Sequence, residues 1–133
     1  MTLTIHQASV PVFVQGLKGL RGVLTKAAAH VETRKLDPDA LLKARLFPDM
    51  FPLAKQVVVA CDFARGVSGR LAGAELPALE GDNKSFADLR GLIAASLDFI
   101  GGLDPAAFEA AGSREIVLRP GTPKERRLSL IHI

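Results

Sequence analysis

The chain has no Trp and no Tyr, and its seven Phe are its only Phe, Trp or Tyr residues. With 48% of its 133 residues hydrophobic, the core must be built from Leu, Val, Ile and Ala, a set that suits helices. A single cysteine, Cys61, excludes an internal disulfide. The start MTLTIHQASV lacks the basic flank, apolar stretch and small-residue cleavage site of a secretory signal. Both absences lead to the expectation of a cytoplasmic protein. Long apolar runs are missing too: the mid-chain run Val57 to Cys61 falls far short of the roughly 20 residues a membrane helix needs, so no membrane partner is expected. Strong charge of one sign is also absent. Of the net +3, Lys124, Glu125, Arg126 and Arg127 supply +2, and no aromatic residues interleave with them to stack on bases, so nucleic acid is not an expected partner.

What is present is helical periodicity. The length fits one domain with one core. Thr4 with Gln7 fits a capping box, and Phe13, Leu17, Leu20, Leu24, Ala27 and Val31 then recur at three- and four-residue steps, which predicts a long amphipathic helix. Pro11 lies inside it and implies a kink or a later start at Ser9, of which the kink is favoured. Gly16, Gly19 and Gly22 each cost about 1 kcal/mol in a helix interior, which predicts a neighbouring backbone packed closely against them. Asp37 and Pro38 open a short second helix through Leu46. In LFPDMFPLAKQVVVACD, residues 46 to 62, Pro48 ends that helix, Asp49 is positioned to cap the next, and Pro52 falls in its first turn. Leu53, Val57, Ala60, Ala64, Val67 and Leu71 form its expected core stripe, and Val58, Val59 and Phe63 extend its apolar surface almost all round. Residues 72 to 84 read as a loop. Ser85 caps a further helix carrying Phe86, Leu89, Ile93, Leu97 and Ile100, which stops at Gly101 and Gly102. One extra turn through Phe108 and a hairpin, EIVLR and KERRLSL about a PGTP turn, complete the reading.

The stretches HQASVPVF, ARLFPDMFPLAKQVVVACDFARG, RLAG, SFADL and EIVLRPG resemble an uncharacterised bacterial domain-of-unknown-function family. That family is similar to the DinB/YfiT-like superfamily of four-helix bundles, and the resemblance runs from about Ile5 to Leu128. It implies an all-α fold: an up-and-down helical bundle with a small β-hairpin before the last helix. In that superfamily many members hold a divalent metal through histidines on the second and fourth long helices, and some relatives are similar to thiol transferases or hydrolases. For this branch no activity is implied. Where family members continue into a last helix with a histidine, this chain ends LSLIHI, so the expectation is an incomplete domain over 1–128. Its tail, 129–133, resembles translated sequencing-adapter read-through, and His132 therefore carries no functional argument.

The candidate site residues are few, and catalytic residues are not assigned. Gln56 lies about where the resemblance places a metal-binding histidine of the second long helix, and an amide is a poor ligand for transition metals. No metal and no cofactor are expected. Gln56 reads either as a boundary residue bonded to backbone or as a ligand contact. His6 and Gln7 sit where the first helix begins; a cap and a kink explain them without a ligand, and a polar pocket explains them with one. His6, Gln7 and Gln56 are accordingly the candidate ligand-binding set. Cys61 reads as a buried, inert thiol, and Asp62 with Arg65 as a surface ion pair. Two functions of different class follow: a bundle with a small-molecule site, enzymatic in its intact form, or a non-catalytic module that self-associates through an open helical face.

Overall fold

The computed structural model describes residues 4–75, 85–112, 116–118 and 121–128. Four α-helices follow in order: α1 (Ile5–Arg34), α2 (Pro38–Leu42), α3 (Leu53–Ala72) and α4 (Phe86–Gly101). A 3₁₀ segment, Pro105–Gly112, and two short strands, β1 (Ile116–Leu118) and β2 (Arg126–Leu128), come last. The helical bundle and the small hairpin match the sequence reading. The expected loop over 76–84 and the tail 129–133 lie outside the described residues.

Local chemistry sets the helix ends. Thr4 and Gln7 close the capping box reciprocally, with both bonds at 3.1 Å, so two amide donors that a helix start leaves unpaired are satisfied. α1 runs unbroken through Pro11, which removes the alternative start at Ser9. Ser9 Oγ instead donates to the Ile5 carbonyl at 2.8 Å. The helix ends with Lys35 in the left-handed region, φ 53°. Asp37 caps α2 by accepting from the Asp39 amide at 3.0 Å, and Ser85 caps α4 by accepting from the Asp88 amide at 3.1 Å. α3 departs from expectation: its N-cap is Pro52, with no side-chain cap. Pro52 directly before Leu53 fixes where the helix begins, three residues beyond Asp49, which is therefore out of capping position.

α4 packs against both α1 and α3, and the 3₁₀ segment closes over α1 and α3 as well. The core joins Val10, Leu17, Leu24 and Val31 of α1 to Val57, Cys61, Ala64 and Leu71 of α3 and to Leu89, Ile93 and Ile100 of α4, with Phe108 of the 3₁₀ segment 1% exposed. On α3 the buried stripe is displaced from the expected one. Ala60 is exposed and Val67 is 37% exposed, whereas Cys61, Arg65 and Ser68 are buried. Apolar periodicity identifies a wide arc, but only contact with α4 selects which part of it is covered. In the hairpin Ile116 pairs with Leu128 and Val117 with Arg127, antiparallel, and Gly121 adopts φ 73° at the turn. Among the described residues no helix is long and apolar enough to cross a membrane.

The glycines of α1 do not meet the close backbone that the sequence predicts. A Cβ placed on Gly16, Gly19 or Gly22 has nothing within 4 Å. Val12 and Val23 on the same helix are 62% and 56% exposed. At 100° per residue, Ala8, Val12, Gly16, Gly19 and Val23 fall on one side of α1, away from the stripe Val10, Leu17, Leu24. On α3, Gln56, Ala60, Phe63 and Val67 likewise share a side, and Phe63 is 68% exposed. Each of these helices therefore carries a second, uncovered seam: opposite its buried one on α1, and to one side of it on α3.

Candidate functional site

The sequence between α2 and α3 holds two prolines four apart, Pro48 and Pro52, which break the helix despite the helix formers around them, so it forms a hydrogen-bonded corner. The Met50 amide donates to the Phe47 carbonyl and the Leu53 amide to the Ala44 carbonyl, both at 3.0 Å. Arg45 Nη1 donates to the carbonyls of Pro48 (3.3 Å) and Met50 (3.0 Å). Gln56 Nε2 donates to the Phe51 carbonyl at 2.8 Å, the backbone bond expected of a boundary amide. Carbonyls that the prolines and the turn leave without amide partners are thus taken up by two side chains, and the strap 46–51 is held from both ends.

Two clefts open at this corner and share Gln56. One, of about 300 Å³, is lined by Asp49, Met50, Phe51 and Gln56. The other, of about 270 Å³, is lined by Leu41, Ala44, Arg45, Leu46, Leu53 and Gln56. Both are mostly apolar in lining with one charged group each, the pattern of small-molecule sites, although their volumes lie at the lower end of the usual range. With its Nε2 bonded to Phe51, Gln56 keeps its carbonyl oxygen as an acceptor toward the clefts. Arg45 keeps donors on Nε and Nη2 beyond the two bonds made by Nη1. Sequence reasoning missed Arg45; the signal available was a cation directly before the apolar-rich stretch LFPDMF.

His6 and Gln7 are placed elsewhere. Gln7 is committed to the α1 cap. The His6 ring meets Phe108 edge-on, with centroids 5.1 Å apart and an interplanar angle of 83°, a favourable aromatic geometry. This contact brings the chain beyond α4 back to the start of α1. Gln56 lies instead beside α2, which follows the far end of α1, a helix of 30 residues and so about 45 Å long. The structure does not bring His6 or Gln7 together with Gln56 in either cleft.

Cys61 is fully buried. Burial pushes its thiol up from the ordinary value, against the hydrogen bond with Ser96 and the positive charge of Arg65, which pull it down; Asp62 adds a smaller upward push. A thiol held protonated is a poor nucleophile. Arg65 pairs with Asp62, but the pair is not wholly on the surface: the Arg65 side chain is 10% exposed and that of Asp62 58%. Ser96 Oγ donates to the Leu92 carbonyl at 2.7 Å.

Among the described residues the donor set does not fit a transition-metal centre. Among the described residues no three His, Cys, Asp or Glu side chains converge. His6 and His30 lie on one helix, some seven turns and about 36 Å apart along its axis, too far to share an ion.

The sequence profile of DUF1993, a domain of unknown function, matches residues 5–132. The chain belongs to the DUF1993 family. Among solved structures, this DUF1993 chain is similar to the crystal structure of a DinB family member protein from Shewanella denitrificans. The two are 33% identical with a TM-score of 0.80, over 94% of this chain and 70% of that one. The DUF1993 chain is therefore a DinB-like, all-α bundle protein. No curated protein matches it significantly.

Proposed function

We propose that this DUF1993 domain binds a small organic molecule at the corner between α2 and α3, with Gln56 as the polar anchor. The observation that carries the reading is that two clefts, of about 300 and 270 Å³, share Gln56. Leu41, Ala44, Leu46 and Leu53 supply apolar walls, and Arg45 supplies hydrogen-bond donors and a positive charge, so the matching ligand is a short aliphatic chain with an anionic or amide end. Hexanoate and hexanamide are suitable probes. Titration of either into the ¹⁵N-labelled chain should shift the Gln56 side-chain amide and the Leu46 and Leu53 backbone amides, and Gln56→Ala should weaken the response. Unmoved resonances at millimolar probe would refute the reading. His6 and Gln7 fall outside this proposal, since neither lines a cleft with Gln56. We further place the protein in a bacterial cytoplasm, on its lone, buried, unpaired Cys61; isolation from a membrane or exported fraction would remove that assignment.

A second reading rests on the uncovered seams. Val12 and Val23 of α1 and Phe63 and Val67 of α3 are exposed at 62%, 56%, 68% and 37%, and the α1 glycines leave room for a helix axis to approach closely. We propose that these seams are helical association surfaces, matching an additional bundle helix or a second chain. The 30% of the Shewanella chain without a counterpart here supports it. The chain should then bind a hydrophobic dye strongly or associate, and a compact, dye-silent monomer would refute it.

A further inference from the structure

We propose that the strap between α2 and α3 is a docking surface for a second copy of this chain. The strap displays Leu46, Phe47, Met50 and Phe51 at 87%, 66%, 37% and 57% exposure. At about 200 Å² of surface for a large apolar side chain, these fractions amount to roughly 500 Å² of apolar area in a six-residue stretch, at the upper end of the largest patch on an ordinary monomer. The strap is also fixed in place: Arg45 holds the carbonyls of Pro48 and Met50, Gln56 holds that of Phe51, and Met50 closes a turn on Phe47. Ordering these side chains against a partner therefore carries little further backbone entropy cost.

Area and charge select the occupant. Each partner in a standard interface contributes roughly 800 Å², of which about three-fifths is apolar. The strap's exposed area is of the size of that apolar share, so one copy seated on another can bury the area a standard dimer interface uses. Flanking the strap in sequence are two acids, Asp39 and Asp49, and three bases, Lys43, Arg45 and Lys55. Asp39 and Lys43 already pair at 3.7 Å within one chain. A rim that carries both signs suits a two-fold contact, because acids of one copy can meet bases of the other. An anionic lipid surface would call for a cluster of bases, whereas this flank mixes acids and bases nearly evenly. Leu46, Met50 and Phe51 also line the clefts at Gln56, so the second copy would close their open sides. The dimer does not depend on ligand binding.

The test is sedimentation velocity on the full chain across the micromolar range, alongside Leu46→Ser/Phe47→Ser and, as a control on the α1–α3 flank, Phe63→Ser. All three substituted side chains are more than half exposed, so the variants should keep the wild-type helical circular dichroism. The expected result is a wild-type dimer whose dissociation constant rises about a hundredfold in the strap variant, the loss of two central apolar anchors, with Phe63→Ser unchanged. A monomeric wild type, a dimer indifferent to the strap variant, or a dimer lost in Phe63→Ser would each overturn the proposal. So would a monomer that co-sediments with phosphatidylserine vesicles through Leu46 and Phe47.

Discussion

Ser68 and Ser96 make a controlled comparison inside one core. Both are fully buried, 0% exposed, and both sit mid-helix. Ser96 Oγ donates to the Leu92 carbonyl at 2.7 Å, whereas Ser68 Oγ has no hydrogen-bond partner among the described residues. A buried hydroxyl without a partner costs about 1–3 kcal/mol, while a satisfied one contributes a net of about 1 kcal/mol. Ser68→Ala removes that desolvation cost and gains about 0.5 kcal/mol of helix propensity. The void left by one oxygen gives back only a few tenths of a kcal/mol. The substitution should therefore stabilise the fold by about 1–2 kcal/mol. Ser96→Ala loses a satisfied bond and the hydrogen-bond partner of Cys61; after the same propensity gain it should destabilise by about 0.5–1 kcal/mol. The measurement is urea unfolding of both variants, with the midpoint read at unchanged slope; at this chain length 1 kcal/mol moves the melting temperature by about 3–5 °C. If Ser68→Ala loses stability, or if the two variants shift in the same direction by the same amount, Ser68 is satisfied and the reasoning fails.

Three further outcomes are expected. Phe108→Ala removes a ring 1% exposed that meets His6, and should cost about 3–5 kcal/mol, a large part of a domain's stability, seen as a lowered melting temperature; a drop below 1 °C would contradict its core role. Asp62→Asn takes the carboxylate from a largely buried guanidinium; because Asp62 is more than half exposed, the loss should be about 1–2 kcal/mol rather than that of a fully buried pair, and an unchanged urea midpoint would refute it. The Cys61 thiol is raised above its ordinary 9.0, so below that pH both states hold the proton and it does not affect stability. Above it the unfolded chain loses the proton first, and stability should fall with rising pH; Cys61→Ala should flatten that slope, and native Cys61 should resist iodoacetamide until the chain unfolds.

Much of the corner between α2 and α3 was legible. Pro48 and Pro52 announce a break, and a boundary amide on α3 seeks a backbone carbonyl, which Gln56 finds in Phe51. The role of Arg45 was not legible, because which carbonyls a long cation reaches depends on how the strap folds back. Nor was the separation of His6 from Gln56: both sit beside apolar stripes, and a stripe records that a face is covered but not by what.

The sequence by itself determined the helices and most of their ends, since caps, prolines and glycines act on neighbours a few residues away, although α2 stops at Leu42 rather than Leu46 and α3 starts after Pro52 without an Asp49 cap. Thr4 with Gln7, Asp37, Ser85 and Gly102 mark boundaries that the structure keeps. Only the tertiary structure decided which part of each wide apolar arc became core. On α3 it chose Ser68 over Ala60 and Val67, while Cys61 is buried as the sequence reading expects, and on α1 it left the glycine side open. The physical reason is that hydrophobic burial is non-directional: an apolar arc wider than one neighbour favours cover everywhere along it, and the packing of α4 and the 3₁₀ segment settles where cover arrives.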